Sequence, residues 1–101
     1  MNFQKRQELE SILSNGYTPL RLNDESASEI YRMYRKDRNY FNRVKKAIER
    51  ICCYPEQAEK LTGRLKGYCS KHVGSKVIIY KHENEGVYIT KLDEHDLAYK
   101  I

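Results

Sequence analysis

His72 and His95 are the side chains of this sequence best suited to acid–base chemistry. Each lies in or just after a predicted strand of the C-terminal half, and strands brought side by side would bring the two near each other. The ordinary pKa of histidine lets it donate or accept a proton at neutral pH. Metal-free RNA cleavage needs such a pair among cations: one ring accepts the proton of the ribose 2′-hydroxyl, and the other protonates the leaving 5′-oxygen. A single strand histidine is, however, more often a hydrogen-bonded structural residue.

Basic residues surround His72. The stretch from Lys60 to Lys81 has six basic residues and no acidic one. Cations of this kind stabilise the charge that develops on a reacting phosphate. Four of them are the expected contacts to RNA phosphates: Arg64, Lys66, Lys71 and Lys76.

A second basic run extends from Arg32 to Arg50, with eight basic residues and two acidic ones, while most acids gather nearer the two ends of the chain. The net charge is +5 and the pI is about 9.1. Such segregation favours polyanions as partners, either nucleic acid or a strongly acidic protein. The alternative for the second run is a solvated helix face without a ligand.

Aromatic residues are interleaved with the basic segment, and nearly all of the aromatics in this chain are tyrosines. A tyrosine ring can stack on an unpaired base, but in a sheet most such rings pack on the helices. Tyr99 lies close to the C-terminus and four residues after His95. It is the tyrosine that we expect to reach a nucleotide.

The periodicity of apolar residues predicts the elements that must position these side chains. Helices are expected over 2–14, from about 24 to the break at 37–39, and from there to Tyr54-Pro55, with a strand over 17–22 between the first two. Strands are then expected over 68–73, 77–82 and 87–92. The order (α)βααβββ indicates an α+β fold, a small antiparallel sheet with helices packed on one face.

The chain of 101 residues is expected to form a single globular unit, with an N-terminal helical extension over 1–16 ahead of the domain over 17–101. Three cysteines, two of them adjacent, do not suggest a disulfide framework or a zinc site. No apolar run is long enough for a membrane span or a signal peptide. These features predict a cytoplasmic protein without a metal, a small-molecule cofactor or a membrane partner.

The segment "LTGRLKGYCSKHVGSKVIIYKHENEGVYITKL", followed by "DEHDLAY", resembles the RelE/ParE superfamily of bacterial type II toxins, most closely its YafQ-like branch. That branch shows L-x-G-x-[W/L]-K-G-Y, a histidine, an apolar strand ending in I-Y, and a final x-x-H-x-x-[LV]-[FY]. The matching residues are Leu61, Gly63, Lys66, Gly67, Tyr68, His72, Ile79, Tyr80, His95 and Tyr99. Glu59 departs from the branch, which has a further histidine there, and Leu65 stands where Trp is usual.

The resemblance implies an endoribonuclease that cuts mRNA in the ribosomal decoding site and is held inactive by a cognate acidic antitoxin. The histidines matching His72 and His95 are catalytic in that branch, and the aromatic residue matching Tyr99 orients the nucleotide. Two alternatives stay open. One is a non-catalytic, ParE-like inhibitor of a DNA-processing enzyme on the same fold, and the other is a plain RNA-binding protein.

Overall fold

The computed structural model describes residues 2–14, 18–83 and 86–99, except for the side chain of Asp96. The helices are α1 (Phe3–Leu13), α2 (Asp24–Lys36), α3 (Arg38–Cys53) and α4 (His95–Ala98). The strands are β1 (Leu20–Leu22), β2 (Glu59–Lys60), β3 (Cys69–Val73), β4 (Lys76–Glu83) and β5 (Gly86–Glu94). The predicted order is therefore confirmed, with β2 and α4 as short additions.

The five strands form one sheet in the order β1-β5-β4-β3-β2. Strands β3 to β5 pair antiparallel, as the sequence predicts, and β2 also pairs antiparallel with β3, whereas β1 pairs parallel with β5 and makes the sheet mixed. Parallel neighbours need a long connection, and the chain between Leu22 and Gly86 supplies it with two helices and three strands. The α+β class is confirmed. The expectation of a wholly antiparallel sheet is wrong at the β1 edge, where the pairing is parallel.

Helices α1, α2 and α3 cover one face of the sheet, which we call the helix-covered face. Apolar residues at helical spacing, among them Ile30 of α2 and Ile48 of α3, are fully buried there. They pack against alternate residues of the strands, such as Ile78 and Ile89. This layer holds the main hydrophobic core.

The opposite face of the sheet carries a smaller cluster of buried residues. Val77 and Ile79, the alternate residues of β4, pack there against Ala98 of α4. Tyr68 and Tyr99 lie partly buried at the edges of this cluster. We call this side the histidine face, because His72 and His95 lie on it, as described below.

Helix α1 packs on β1 at the edge of the sheet. Leu9 and Leu13 are buried in the main core, and the Glu10 carboxylate accepts a hydrogen bond from the Leu22 backbone N–H at 2.7 Å. The predicted helix over 2–14 is thus confirmed, while the expected boundary between 16 and 17 lies outside the described residues. No helix in the described part of the chain is long and apolar enough to cross a membrane.

Helix α2 is capped by Asn23, the residue just ahead of it. The side chain of Asn23 accepts a hydrogen bond from the Ser26 backbone N–H at 2.9 Å. The amide nitrogen of Asn23 also donates to the Thr90 carbonyl at 2.7 Å. Asn23 therefore caps the helix and joins its start to β5, a contact that local sequence patterns do not reveal.

Candidate active site

His72, His95 and Tyr99 form one cluster on the histidine face. The ring centroids of His72 and His95 are 5.5 Å apart, with an interplanar angle of 26°. The His95 and Tyr99 rings meet edge to face, with centroids 5.0 Å apart and an angle of 69°. Tyr99 follows His95 by one turn of α4, which explains why both rings lie on the same side of this helix. All three predicted catalytic residues are therefore neighbours.

The β3–β4 turn holds His72 in place. Gly74 in this turn has φ +63°, a left-handed conformation that favours glycine. The Tyr40 hydroxyl of α3 donates a hydrogen bond to the Val73 carbonyl and accepts one from the Lys76 N–H at 3.3 Å. An ideal Cβ on Gly74 would lie 3.0 Å from that hydroxyl oxygen, a tight contact that only a small shift of the Tyr40 side chain would relieve.

The same turn places His95. The backbone N–H of His95 donates to the Ser75 carbonyl at 3.2 Å, which fixes the start of α4 against the turn that follows β3. Leu97 on α4 is exposed, whereas Ala98 is buried against β4. One tight turn therefore orients both histidines, one through the strand that enters it and one through a backbone hydrogen bond.

Lys71 is not part of this cluster. Successive side chains of a strand point to opposite faces, so Lys71 lies on the other side of β3 from its neighbour His72. It lines a groove beside Arg50 and Tyr54, on the helix-covered face. The structure therefore separates this predicted phosphate contact from the two histidines.

Lys76 is held by two carboxylates. Its ammonium lies 3.3 Å from Glu94 Oε1 and 3.5 Å from Glu29 Oε1, and only 14% of its side chain is exposed. Burial opposes the charge, but the hydrogen bonds and negative charges of Glu94 and Glu29 raise the pKa of Lys76 above its ordinary value. Lys76 stays charged, and its positive charge is already compensated within the fold.

Arg64 and Lys66 are exposed and lie ahead of β3. Arg64 is in the 3₁₀ turn Gly63–Leu65, and Lys66 follows it. Lys66 borders a cavity of about 690 Å³ that Leu61 and Tyr68 also line. His72 lies near the other end of β3, whose Cys69–Val73 span is about 13 Å. These two cations are thus available to a ligand that extends along the strand from the histidines.

Lys81 is a cation of the histidine face that the sequence analysis did not single out. It lies two residues beyond Ile79 on β4, and its ammonium is 4.6 Å from the centroid of the Tyr68 ring. Val77, Ile78, Ile79 and Tyr80 are all buried, so β4 has no polar alternation from which the sequence could have assigned Lys81 to this face.

Comparisons with known proteins agree with this architecture. No family model matches the sequence, and no curated protein sequence matches it either. A solved structure, the YoeB/ParE toxin from Agrobacterium tumefaciens, has a TM-score of 0.67 at 17% identity, covering 75% of this chain and 96% of that one. The YoeB dimer from Staphylococcus aureus has a TM-score of 0.69 at 14% identity, covering 78% and 98%.

A third structure, the YoeB-YefM complex from Staphylococcus aureus, has a TM-score of 0.67 at 13% identity, covering 75% of this chain and 94% of that one. At these identities the comparisons show the fold. This chain therefore shares its fold with these YoeB and YoeB/ParE structures, in agreement with the fold that the sequence resemblance implies.

Proposed function

We propose that this protein is the toxin of a type II toxin–antitoxin pair and that it is a metal-independent endoribonuclease that cleaves mRNA in the ribosomal decoding site. The observation that supports this most strongly is the His72–His95–Tyr99 cluster on a RelE/ParE-type fold. The toxin domain spans 17–101, and α1 is an extension packed against it. Cleavage on the ribosome implies a cytoplasmic protein.

The proposed reaction needs one proton acceptor and one proton donor. The ribose 2′-oxygen attacks the adjacent phosphorus while one imidazole takes the 2′-hydroxyl proton. The bond from phosphorus to the 5′-oxygen breaks, and the other imidazole, in its protonated form, donates a proton to that oxygen. The products are a 2′,3′-cyclic phosphate and a 5′-hydroxyl. Two rings 5.5 Å apart suit these two roles, since acceptor and donor must reach oxygens on one phosphorus.

Tyr99 and the exposed cations have supporting roles in this proposal. The Tyr99 ring packs edge to face on His95 and orients both that ring and a nucleotide stacked nearby. Arg64 and Lys66 contact phosphates of the bound strand ahead of the cleavage site. Lys71 has no such role beside the histidines in the proposed reaction, because it lies on the opposite face of β3.

The proposed partner is an acidic antitoxin. A net charge of +5 favours association with an acidic protein, and one structure of similar fold is a YoeB-YefM complex. Co-expression with an acidic protein encoded next to this one would test the pairing. We expect the partner to restore growth and to co-purify with the toxin.

The test of the nuclease activity is induced expression in a bacterium, with mRNA 5′ ends mapped within minutes. The wild type should cut mRNA in a fixed codon register, and His95→Ala should not. His82→Ala is the matched control, because His82 is an exposed histidine of β4 outside the cluster. Growth arrest by the wild type with intact mRNA would overturn the nuclease and favour a ParE-like inhibitor.

A further inference from the structure

A groove on the helix-covered face runs between α3 and β3. Its lining includes Arg50 and Tyr54 at the end of α3 and Lys71 of β3. These three residues border two adjoining cavities of about 300 and 570 Å³. Gln57 lines the smaller cavity and Lys46 the larger one. The groove is separate from the histidine cluster, because it lies on the other face of β3.

The cations of this groove have no acidic partner within the described part of the chain. No ion pair of Lys46, Arg50 or Lys71 occurs there, whereas the acidic residue in the lining, Glu49, pairs with Lys45 at 3.2 Å. Lys46 and Arg50 are exposed and one helical turn apart, and Lys71 faces them from the strand. Three uncompensated positive charges therefore border one concavity.

Some cations of the basic run from Arg32 to Arg50 contact a carboxylate or an aromatic ring of the protein, and others do not. Arg32 is bound to Glu29 at 2.6 Å, and the Arg38 guanidinium lies 3.8 Å from the centroid of the Tyr34 ring. Lys46 and Arg50 have no such protein partner in the described residues. The cations of a solvated helix face all come from that helix. Here Lys71, which belongs to a strand, lines the same groove as Lys46 and Arg50.

The aromatic residue of the groove is also exposed. Tyr54 ends α3, and 56% of its surface is accessible. Pro55 follows it, and the α conformation is disfavoured for the residue before a proline, so α3 ends here. An exposed tyrosine beside three cations matches the pattern by which proteins hold single strands, with cations on the phosphates and a ring under a base.

We propose that the α3–β3 groove is a second RNA-binding site, in which Lys46, Arg50 and Lys71 contact the phosphodiester backbone of a single strand and Tyr54 stacks on a base. The choice of RNA rests on the proposed function, since RNA is the polyanion that the nuclease must hold. An acidic peptide could satisfy the cations, but it has no planar base for the exposed ring. The groove thus anchors RNA while the histidines act on the other face.

The experiment measures binding of a fluorescein-labelled 12-nucleotide oligouridine by fluorescence anisotropy over a range of salt concentrations. The protein carries His72→Ala and His95→Ala so that the probe stays intact. Lys46→Gln with Arg50→Gln is compared with Arg35→Gln and Lys36→Gln, which remove the same charge from exposed positions of α2. Each lost phosphate contact should lower the salt slope by about 0.7. We expect the salt slope to fall by about 1.4 for the groove variant, which removes two cations, and by less for the control.

A second readout localises the ligand. Cys53 is exposed and lines the groove, whereas Cys52 is buried. Bound oligouridine should slow maleimide labelling of Cys53 at least about fivefold. Mass spectrometry of the peptide that contains Cys53 measures the labelling. Tyr54→Leu should weaken binding by about 5-fold to 150-fold, which corresponds to the loss of one stacked base.

Equal salt slopes for the groove and control variants, or no protection of Cys53 by RNA, would overturn the proposal. Protection of Cys53 by polyglutamate but not by RNA would also overturn it and assign the groove to an acidic protein. The outcome is distinct from that of the nuclease test. If His95→Ala loses mRNA cleavage but the groove variants bind RNA like their controls, the proposed nuclease stands and the second RNA site does not. If the groove binds RNA but the wild type cleaves no mRNA, the second RNA site stands and the nuclease does not.

Discussion

The imidazole rings of His72 and His95 lie 5.5 Å apart between centroids although they belong to different elements, a strand and a short helix. The β3–β4 turn connects the two positions, because it begins after Val73, the residue next to His72, and its Ser75 carbonyl accepts a hydrogen bond from the N–H of His95. The spacing of the histidines therefore depends on this turn.

Removal of either histidine should abolish most of the proposed nuclease activity without unfolding the protein. Each of His72→Ala and His95→Ala should lower the rate of mRNA cleavage on purified ribosomes by about 10² to 10⁴-fold, the usual contribution of a general acid or base. Both side chains are exposed, so the melting temperature should change little. His82→Ala should behave as wild type, and an equal loss in that variant would argue against a specific pair.

Replacement of Tyr99 should distinguish a positioning ring from a reacting hydroxyl. Tyr99→Phe keeps the edge-to-face contact with His95 and should retain cleavage within about threefold, because such contacts depend on the ring. Tyr99→Ala removes the ring and should lower cleavage by about tenfold or more, as expected when a reacting group is misplaced. Single-turnover rates on programmed ribosomes measure this. A large loss in Tyr99→Phe would assign a chemical role to the hydroxyl instead.

Alanine at Gly74 should destabilise the fold more than alanine at Gly63. Both glycines have a positive φ, +63° and +66°, so both substitutions incur the left-handed penalty of about 1 to 2 kcal/mol. A Cβ at Gly74 would additionally lie 3.0 Å from the Tyr40 hydroxyl, whereas nothing lies within 4 Å at Gly63. Urea unfolding should show the difference.

The excess cost of Gly74→Ala should shrink in a Tyr40→Phe background, where the hydroxyl is absent. Tyr40→Phe by itself should cost about 1 to 3 kcal/mol, because the Val73 carbonyl loses its donor. A double-mutant cycle isolates the coupling between the two positions. Equal costs for Gly74→Ala in both backgrounds would contradict this account of the turn.

The Lys76–Glu29 ion pair should stabilise the protein at neutral pH but not in acid. The hydrogen bond from Arg32, together with the charges of Arg32 and Lys76, lowers the pKa of Glu29 below its ordinary 4.5. A carboxyl group with a lowered folded-state pKa contributes stability above its unfolded-state pKa and loses it as the pH falls through the folded-state value. Lys76→Met should therefore cost up to about 1 kcal/mol at pH 7 and much less near pH 3.

Lys45→Met is the matched control for this pair, because Lys45 binds Glu49 within α3 and the two side chains are 38% and 40% exposed. That substitution should cost no more than about 0.5 kcal/mol. Urea unfolding of both variants at the two pH values makes the comparison. A cost of Lys76→Met that stays constant with pH would show that packing of the lysine stem, not charge, is responsible.

The adjacent thiols of Cys52 and Cys53 should differ in reactivity. Burial raises the pKa of Cys52 to about 11, and Cys53 is exposed. Because the thiolate is the reactive form, iodoacetamide at pH 8 should modify Cys53 and spare Cys52 in the folded protein. Both should react in 6 M guanidinium chloride, where burial is lost. Equal labelling of the two in the native state would show that the end of α3 opens readily.

The raised pKa also has a consequence for stability. A thiol whose folded-state pKa exceeds its unfolded-state value favours the fold at lower pH, and this contribution is lost as the pH rises from about 9 towards 11. Cys52→Ala should therefore show a smaller decline in unfolding free energy than wild type between pH 8 and pH 10.5. Chemical denaturation at several pH values measures this slope.

Much of the architecture followed from local patterns in the sequence. The 3.6-residue period of Phe41, Val44, Ile48 and Ile51 predicts α3, and the apolar strand residues with glycine turns predict β3 to β5. The motif around His72 and the spacing of His95 and Tyr99 indicated the candidate site and its chemistry. The two-residue β2 was not predicted, because so short a strand has no detectable alternation.

The sequence by itself determined the α+β element order and the residue types of the candidate site, because both depend on neighbours within a few positions along the chain. Only the tertiary structure decided which of the cations lie beside the histidines. Lys71 is adjacent to His72 in sequence but lies on the other face of the sheet, and Lys76 is held by Glu29 and Glu94. Alternation puts Lys71 and His72 on opposite faces of a strand, but which face the helices cover, and which carboxylates reach Lys76, depend on residues far apart in the chain.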